Sequence, residues 1–269
     1  MKLFDAHNHW HHPKLAPYRS DIEPELRRIG LAAAIVNGTC EADWDDVAAL
    51  AAKDQRAWPA FGIHPWNVSE RSRDWREKLE ELLTTHPPSS VGEIGLDRWI
   101  EGHDLKDQTA VFTAHLALAV KYDRPATVHC LQAWGALTEI VRHRALPRRG
   151  FLLHAYGGSA ELAHEFVERG AFFSFSPYFL HERKSAQREV FRMLPLDRLL
   201  VETDAPSLWP PEERNPRPLQ DADGEPINHP ANLDIAYAGL AEVRGCEVAE
   251  LADAVEKNFI RLFGWGAEK

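Results

Sequence analysis

Cysteine is scarce in this sequence of 269 residues, and what there is does not pair. Cys40, Cys130 and Cys246 are odd in number, far apart and without a Cys-x-x-Cys spacing, which excludes a disulfide scaffold and a structural zinc knuckle and fits a reducing cytosol. Long hydrophobic runs are missing too. No segment approaches the roughly 18 uninterrupted apolar residues that a membrane span needs. The opening MKLFDAHNHW turns polar by Asp5 without an apolar core, so neither a secretory signal nor a membrane partner is expected. Positive charge is short: 31 Lys and Arg against 41 Asp and Glu leave a net charge of −10, which disfavours a bulk electrostatic grip on a phosphate backbone. Any nucleic-acid contact must be local. No internal repeat, low-complexity tract or linker marks a second domain, so one domain over residues 1–269 is expected, and nothing calls for an obligate protein partner.

What is present is an ordinary globular composition, 44% hydrophobic and 27% charged, enough for a full core without staples. About eight short β-rich runs recur, each followed by a stretch with helical spacing. They are KLFDAH from Lys2, AAAIVNG from Ala32, PAFGIH from Pro59, SVGEIGL from Ser90, PATVHC from Pro125, GFLLHA from Gly150, AFFSFS from Ala171 and RLLVET from Arg198. Most are near-continuous apolar runs, as in strands covered by helices on the outside. Between them, Glu41 to Gln55 puts Val47, Leu50 and Ala51 on one face, and Leu105 to Tyr122 does the same with Phe112, Leu116 and Ala119. Ser159 is placed to cap a helix running through Phe166, and Gly170 to end it. The pattern predicts a single α/β domain, a distorted (β/α)₈ TIM-type barrel, with two closing helices over Ala231 to Phe263. Ala205 to Pro230 is rich in Pro, Asp, Asn and Arg and has no periodicity, which predicts a functional loop.

The chemistry collects at strand ends. His7 and His9 close the first run, His64 the third, Glu93 lies in the fourth, His129 closes the fifth, His154 the sixth, and Glu202 with Asp204 the eighth. In a (β/α)₈ barrel these ends converge at the C-terminal face, where active sites are built. His7 and His9 are two apart, so both imidazoles point to one side of a strand. Glu93 sits in an apolar strand where an unpartnered carboxylate costs several kcal/mol. Cations are the natural compensation, and Glu93 is the candidate bridge between two ions about 3.5 to 4 Å apart. Gly92 and Gly95 flank it, as expected where backbones approach closely. Asp204 completes the ligand set and is placed to take a proton from a bound water, with Glu202 holding a neighbouring histidine in its tautomer. Imidazole-rich ligation suits zinc, manganese, iron or cobalt better than magnesium; zinc, manganese and magnesium all remain open. His64, followed by Pro65, is read as facing substrate, donating to an oxyanion or helping proton transfer. His11, His12, His86, His103, His115, His143, His164 and His181 are expected to be surface imidazoles, and His229 sits in the long loop. Trp10, Trp66, Trp99, Trp134 and Trp209 follow strands that carry ligands, which predicts an aromatic rim able to stack on a base or sugar, or to pack loops onto the barrel.

Together DAHNH, GIHPW, GEIGLD, the Gln108, Phe112, Leu116 helix pattern, TVH at His129, LLHAYGGS, ETDAP, NHPANL and Asn258 resemble the TatD-type metal-dependent hydrolase and deoxyribonuclease family over residues 4 to 264. The resemblance implies a distorted barrel with two divalent ions, one held by His7, His9, Glu93 and Asp204 and the other by Glu93, His129 and His154. It implies hydrolysis of phosphodiesters in DNA; with the roles read above from the residues, Asp204, His64 and Glu93 are the expected catalytic groups, acting on a DNA end or a small phosphodiester. A small amide or lactone, attacked at carbon, is the alternative substrate, and a binding module without catalysis a third reading. Three departures stand out. Cys130, Leu131, Gln132 and Ala133 replace the family's usual Ser-Arg-Asp-Ala, removing an arginine for the substrate phosphate. Arg98 and Trp99 follow GLD where tyrosines are frequent, and HAYGGS replaces HCFSGS. Arg98, Arg214 and Arg217 are then the candidates for phosphate contacts.

Overall fold

Each of the eight apolar runs forms a strand, because a run with little polar interruption can be buried on both faces only inside a helix-covered sheet. The strands of the computed structural model are β1 (Leu3–Asn8), β2 (Leu31–Asn37), β3 (Ala57–Phe61), β4 (Ser90–Asp97), β5 (Ala126–Leu131), β6 (Phe151–Leu153), β7 (Ala171–Phe175) and β8 (Leu199–Val201). Residues 1–264 and 266 are described; the remaining positions of the expected 1–269 domain, 265 and 267–269, lie outside the described residues. The sheet runs in sequence order and every laddered pair is parallel, giving a (β/α)₈ barrel. The outer layer is α1 (Arg19–Ile29), α2 (Trp44–Lys53), α3 (Trp75–Thr85), α4 (Leu105–Lys121), α5 (Trp134–His143), α6 (Ala160–Glu168), α7 (Ser185–Met193), α8 (Leu233–Arg244) and α9 (Val248–Phe263).

The distortion of the barrel sits between β8 and β1, where single bonds replace a ladder. The Asp204 N–H donates to the His7 carbonyl (2.9 Å) and the His9 N–H to the Ala205 carbonyl (2.8 Å). Beneath them the buried Asp5 carboxylate accepts from the Thr203 N–H (3.1 Å) and hydroxyl (2.6 Å). The seam therefore runs straight through the proposed ligand residues. From outside, Asn258 of α9 donates to the carbonyls of Leu196 (2.9 Å) and Leu199 (2.8 Å), which fixes the start of β8.

Local signals behave as their chemistry requires. The Ser159 hydroxyl accepts from the Leu162 N–H (3.3 Å) at the start of α6, and Gly170, with φ of 88°, turns the chain into β7. Leu251, Val255 and Phe259 bury one face of α9. The stretch after Ala205 is less irregular than its composition suggests. It holds a short 3₁₀ turn (Glu212–Arg214) and an antiparallel pair, β9 (Leu219–Gln220) and β10 (Pro226–Ile227). Arg217, ion-paired with Glu25 and Asp234 (2.7 Å each), clamps this stretch to α1 and α8. Among the described residues no helix is long and apolar enough to cross a membrane.

Candidate metal centre

Three strands end before the residue of interest. β3 stops at Phe61, β6 at Leu153 and β8 at Val201, so His64, His154 and Asp204 stand just past the strand ends, each held by one backbone N–H bond, to the carbonyls of Thr39, Val128 and His7. His7 and His129 lie within their strands, His9 follows β1 directly, and Glu93 comes from the middle of β4. Asp204 has φ of 53°, a left-handed conformation that aspartate tolerates better than most residues. A side chain on either glycine beside Glu93 would collide with β5: on Gly92 with Thr127, on Gly95 with the His129 carbonyl. The expected close backbone approach is real.

The seven predicted site residues meet at one end of the barrel, around Glu93. Its two oxygens face different neighbours. Oε2 lies 3.3 Å from His7 Nε2 and 3.2 Å from His9 Nε2, and Asp204 Oδ1 is 3.4 Å from both imidazoles. Oε1 lies 3.4 Å from His64 Nε2, 3.3 Å from His129 Nδ1 and 2.9 Å from His154 Nε2. The His7 and His154 rings stack with centroids 3.9 Å apart between the two halves. Donor atoms of His7, His9 and Asp204, of His7, Glu93 and His154, and of His64, Glu93 and His129 fall within 4.8 Å of one another in each group, a spacing able to hold a metal ion.

Hydrogen bonds on the far side of the rings decide which nitrogens carry lone pairs inward. His9 Nδ1 donates to the Asn37 carbonyl (2.8 Å), leaving Nε2 for the centre. His129 is turned the other way: Nε2 donates to Asp97 Oδ2 (3.0 Å) and Nδ1 faces Glu93. His64 differs. Its Nδ1 accepts from the Trp66 N–H (3.2 Å), so the proton of the neutral ring sits on Nε2. That nitrogen is a donor, which suits an anionic ligand and opposes metal ligation.

Both nitrogens of His7, Nδ1 of His154 and Oε1 of Glu202 are buried without a hydrogen-bond partner. Glu202 Oε1 stands 3.8 Å from His154 Nδ1, beyond hydrogen-bond length, while Oε2 is taken by the Ser174 hydroxyl. Unpartnered buried polar atoms cost about 1–3 kcal/mol each, and the lone pairs of His7 Nε2 and His154 Nε2 converge on a buried carboxylate. A divalent cation fits this donor set. Without it the imidazoles supply the positive charge. Burial works to raise Glu93, but His64, His154 and His7 hold it well below the usual carboxylate range. Burial works likewise on Asp204, and the His7 and His9 imidazoles beside it hold it low. His9, despite burial, is raised to about 10 by Asp204 and Glu93, and His154 is raised by the charge of Glu93. Burial pushes His64 down to about 3, so its ring is neutral.

The profile of the TatD-related DNases matches residues 4–264. The chain belongs to this family. It is 32% identical over 267 residues to a protein of Escherichia coli K12 named as the uncharacterized metal-dependent hydrolase YjjV, covering 97% of this chain and 98% of the relative. It is 27% identical over 263 residues to the 3'-5' ssDNA/RNA exonuclease TatD of Enterobacter lignolyticus, covering 97% and 99%. The crystal structure of E. coli YjjV superposes with a TM-score of 0.88 at 29% identity, covering 97% of this chain and 98% of that one. A TatD-family hydrolase of Entamoeba histolytica shares the fold at 17% identity and a TM-score of 0.83, over 97% of each chain.

Beyond the core of this TatD-family site, several expectations are corrected. Arg214 and Arg217 are engaged elsewhere, Arg214 with Glu242 (2.8 Å) and Arg217 with Glu25 and Asp234, so neither is free for a phosphate. Arg98 is exposed, and among the described residues no ion pair holds it. His115 and His11 are buried instead of surface imidazoles. His115 packs on Trp75 with ring centroids 4.6 Å apart, accepts from the Ile63 N–H (3.3 Å) and bonds the Val111 carbonyl (2.8 Å). His11 lies 3.6 Å from Asp43. The aromatic rim also shrinks: Trp10 is buried and Trp134 packs on Tyr156, whereas Trp66 and Trp99 are exposed. Two groups that bond the ligands were missed, Asn37 and Asp97. Asp97 was detectable, since Glu93, Gly95 and Asp97 share one face of β4 by the period of two. Asn37 meets His9 through its main-chain carbonyl, which no side-chain signal marks.

Proposed function

We propose that this chain is a single hydrolase domain over residues 1–269 that cleaves phosphodiester bonds at the end of a single-stranded nucleic acid, using two divalent ions. The observation that carries the reading is the division of Glu93, Oε2 toward His7 and His9 and Oε1 toward His129 and His154. On this reading His7, His9, Glu93 and Asp204 hold one ion and Glu93, His129 and His154 the other. The donor set favours zinc or manganese over magnesium, which prefers oxygen ligands. Bound cations there supply Lewis acidity, lowering the pKa of water and offsetting charge on phosphoryl oxygens. The names of the TatD relatives support the choice of nucleic acid, and three free cysteines fit a reducing cytosol.

The residues divide the remaining work. Asp204, ionised and at the rim, takes the proton of the attacking water. His64 offers its Nε2–H to a non-bridging oxygen as negative charge develops, the role its tautomer leaves open. Arg98 is the cation able to meet a neighbouring phosphate. Loss of the usual arginine near Gln132 favours, as a second reading, a small amide or lactone as substrate. Metal-loaded wild type assayed on a single-stranded oligodeoxynucleotide, a chromogenic phosphodiester and a panel of amides and lactones separates the two. Turnover of the oligonucleotide, falling at least about a hundredfold in Asp204→Ala, is the expected result; hydrolysis confined to amides or lactones would overturn the proposal.

A further inference from the structure

Resting on the phosphodiesterase reading, the geometry points to Trp66 and Trp99 as a stacking platform for an unpaired nucleobase of the bound strand. These two indoles are 48% and 63% exposed, whereas Trp10, Trp44 and Trp75 are buried. Water-exposed tryptophan is a poor use of a large apolar ring unless something covers it in function. The pair is in contact at a tilt, with centroids 6.4 Å apart and planes 32° from parallel, so neither indole is stacked flat on the other.

The platform is built into the catalytic end of the barrel. One buried carboxylate, Asp97, ties it there. Its Oδ2 accepts from the Trp66 indole N–H (2.8 Å) and from His129 Nε2 (3.0 Å). Its Oδ1 accepts from the Trp99 backbone N–H (2.6 Å). The side chain that orients a residue facing Glu93 thus holds the Trp66 indole and the backbone of Trp99. On its inner side Trp66 meets the His64 ring edge to face, with centroids 5.1 Å apart, and His64 Nε2 is 3.4 Å from Glu93. A strand whose phosphate lies at Glu93 therefore has an indole within reach of the adjoining nucleoside. Arg98, exposed and next to Trp99 in the chain, offers a charge for the backbone.

The occupant is a single-stranded base. A flat π-face recognises any base without reading its edge, and a paired base has its faces covered by its own neighbours. The net charge of −10 points the same way, because a chain whose acids outnumber its bases, 41 to 31, gains little affinity from bulk attraction to phosphates, which leaves more for stacking to supply.

The test titrates the full-length, metal-loaded protein with a thymidine oligomer whose terminal linkages are phosphorothioates, which keep their negative charge and resist cleavage, and with an abasic oligomer of the same backbone, following tryptophan fluorescence. The account expects saturable quenching by the thymidine oligomer and about tenfold tighter binding of it than of the abasic one. Trp99→Ala should abolish that preference, and Trp99→Phe should restore most of it. Circular dichroism confirms that the exposed substitution leaves the fold intact. Equal affinity of the wild type for both oligomers, or a preference that survives in Trp99→Ala, would overturn the platform. Hydrolysis of an unmodified oligomer, measured alongside, tests the reading beneath it separately. Turnover without base preference removes the platform alone; base preference without turnover keeps the platform and removes the phosphodiesterase.

Discussion

Asp97 shows how much of the centre depends on residues that need not touch an ion. It is buried, it holds His129 in the tautomer that turns Nδ1 inward, and it fastens Trp66. Burial alone raises a carboxyl, yet bonds from His129 and Trp66 hold Asp97 near 2, so it stays anionic and keeps His129 oriented. Asp97→Asn keeps the shape and removes the charge. Outer partners of this kind are worth about 10–100-fold in metal affinity. We expect Asp97→Asn to weaken the binding of one of two ions by that factor in a calorimetric titration with zinc or manganese, leaving the other near wild type. Equal loss at both would place Asp97 in the general structure of the pocket.

At the scale of elements, the contact between α4 and the turn after β3 carries a proton-sensitive group. His115 is buried, and burial depresses it to about 4 from an ordinary value near 6.5. A depressed histidine contributes stability that is complete above the unfolded value and is lost as pH falls through the folded one. Between pH 7 and pH 4 the unfolded chain takes up a proton that folded His115 resists, which removes about 3 kcal/mol. The stability advantage of wild type over His115→Gln, from urea unfolding, should shrink by about that amount across this window. A constant difference would show that His115 titrates normally in the fold.

The elements were also where sequence and structure could be read against each other. The eight strands were legible because burial on both faces leaves an apolar run that no surface segment needs. His7, His9, Glu93, His129, His154 and Asp204 were legible because each interrupts or ends such a run. The fates of Arg214 and Arg217 were not, since Glu25, Asp234 and Glu242 lie on helices distant in sequence, and only the folded chain brings them within 3 Å. The burial of His115 was hidden for a similar reason. An imidazole that satisfies both nitrogens, here with Ile63 and Val111, loses its preference for water, and nothing local to α4 reveals the Ile63 partner.

For the molecule as a whole, the sign of the charge bears on how the proposed substrate would be held. With a net charge of −10 and Arg98 as the candidate phosphate contact, few counterions would be displaced by a bound single strand. Each neutralised phosphate contributes a slope of about −0.7 to log K against log salt for single strands. A slope between about −0.7 and −1.5 is therefore expected for the cleavage-resistant thymidine oligomer between low and physiological salt. A slope several times steeper would mean that a basic track, and not one or two phosphate contacts, holds the strand.

The architecture gathers its charge differently, by closing a barrel at the Asp5–Thr203 seam so that two strand ends meet opposite Glu93. The proposed two-ion centre rests on that carboxylate having one oxygen for each half of a ring of imidazoles. The direct test is an anomalous difference map from crystals grown with manganese or zinc. Two peaks about 3.5 to 4 Å apart, one on the His7 and His9 side of Glu93 and one on the His129 and His154 side, are the predicted result. A single peak, or peaks not bridged by Glu93, would contradict it.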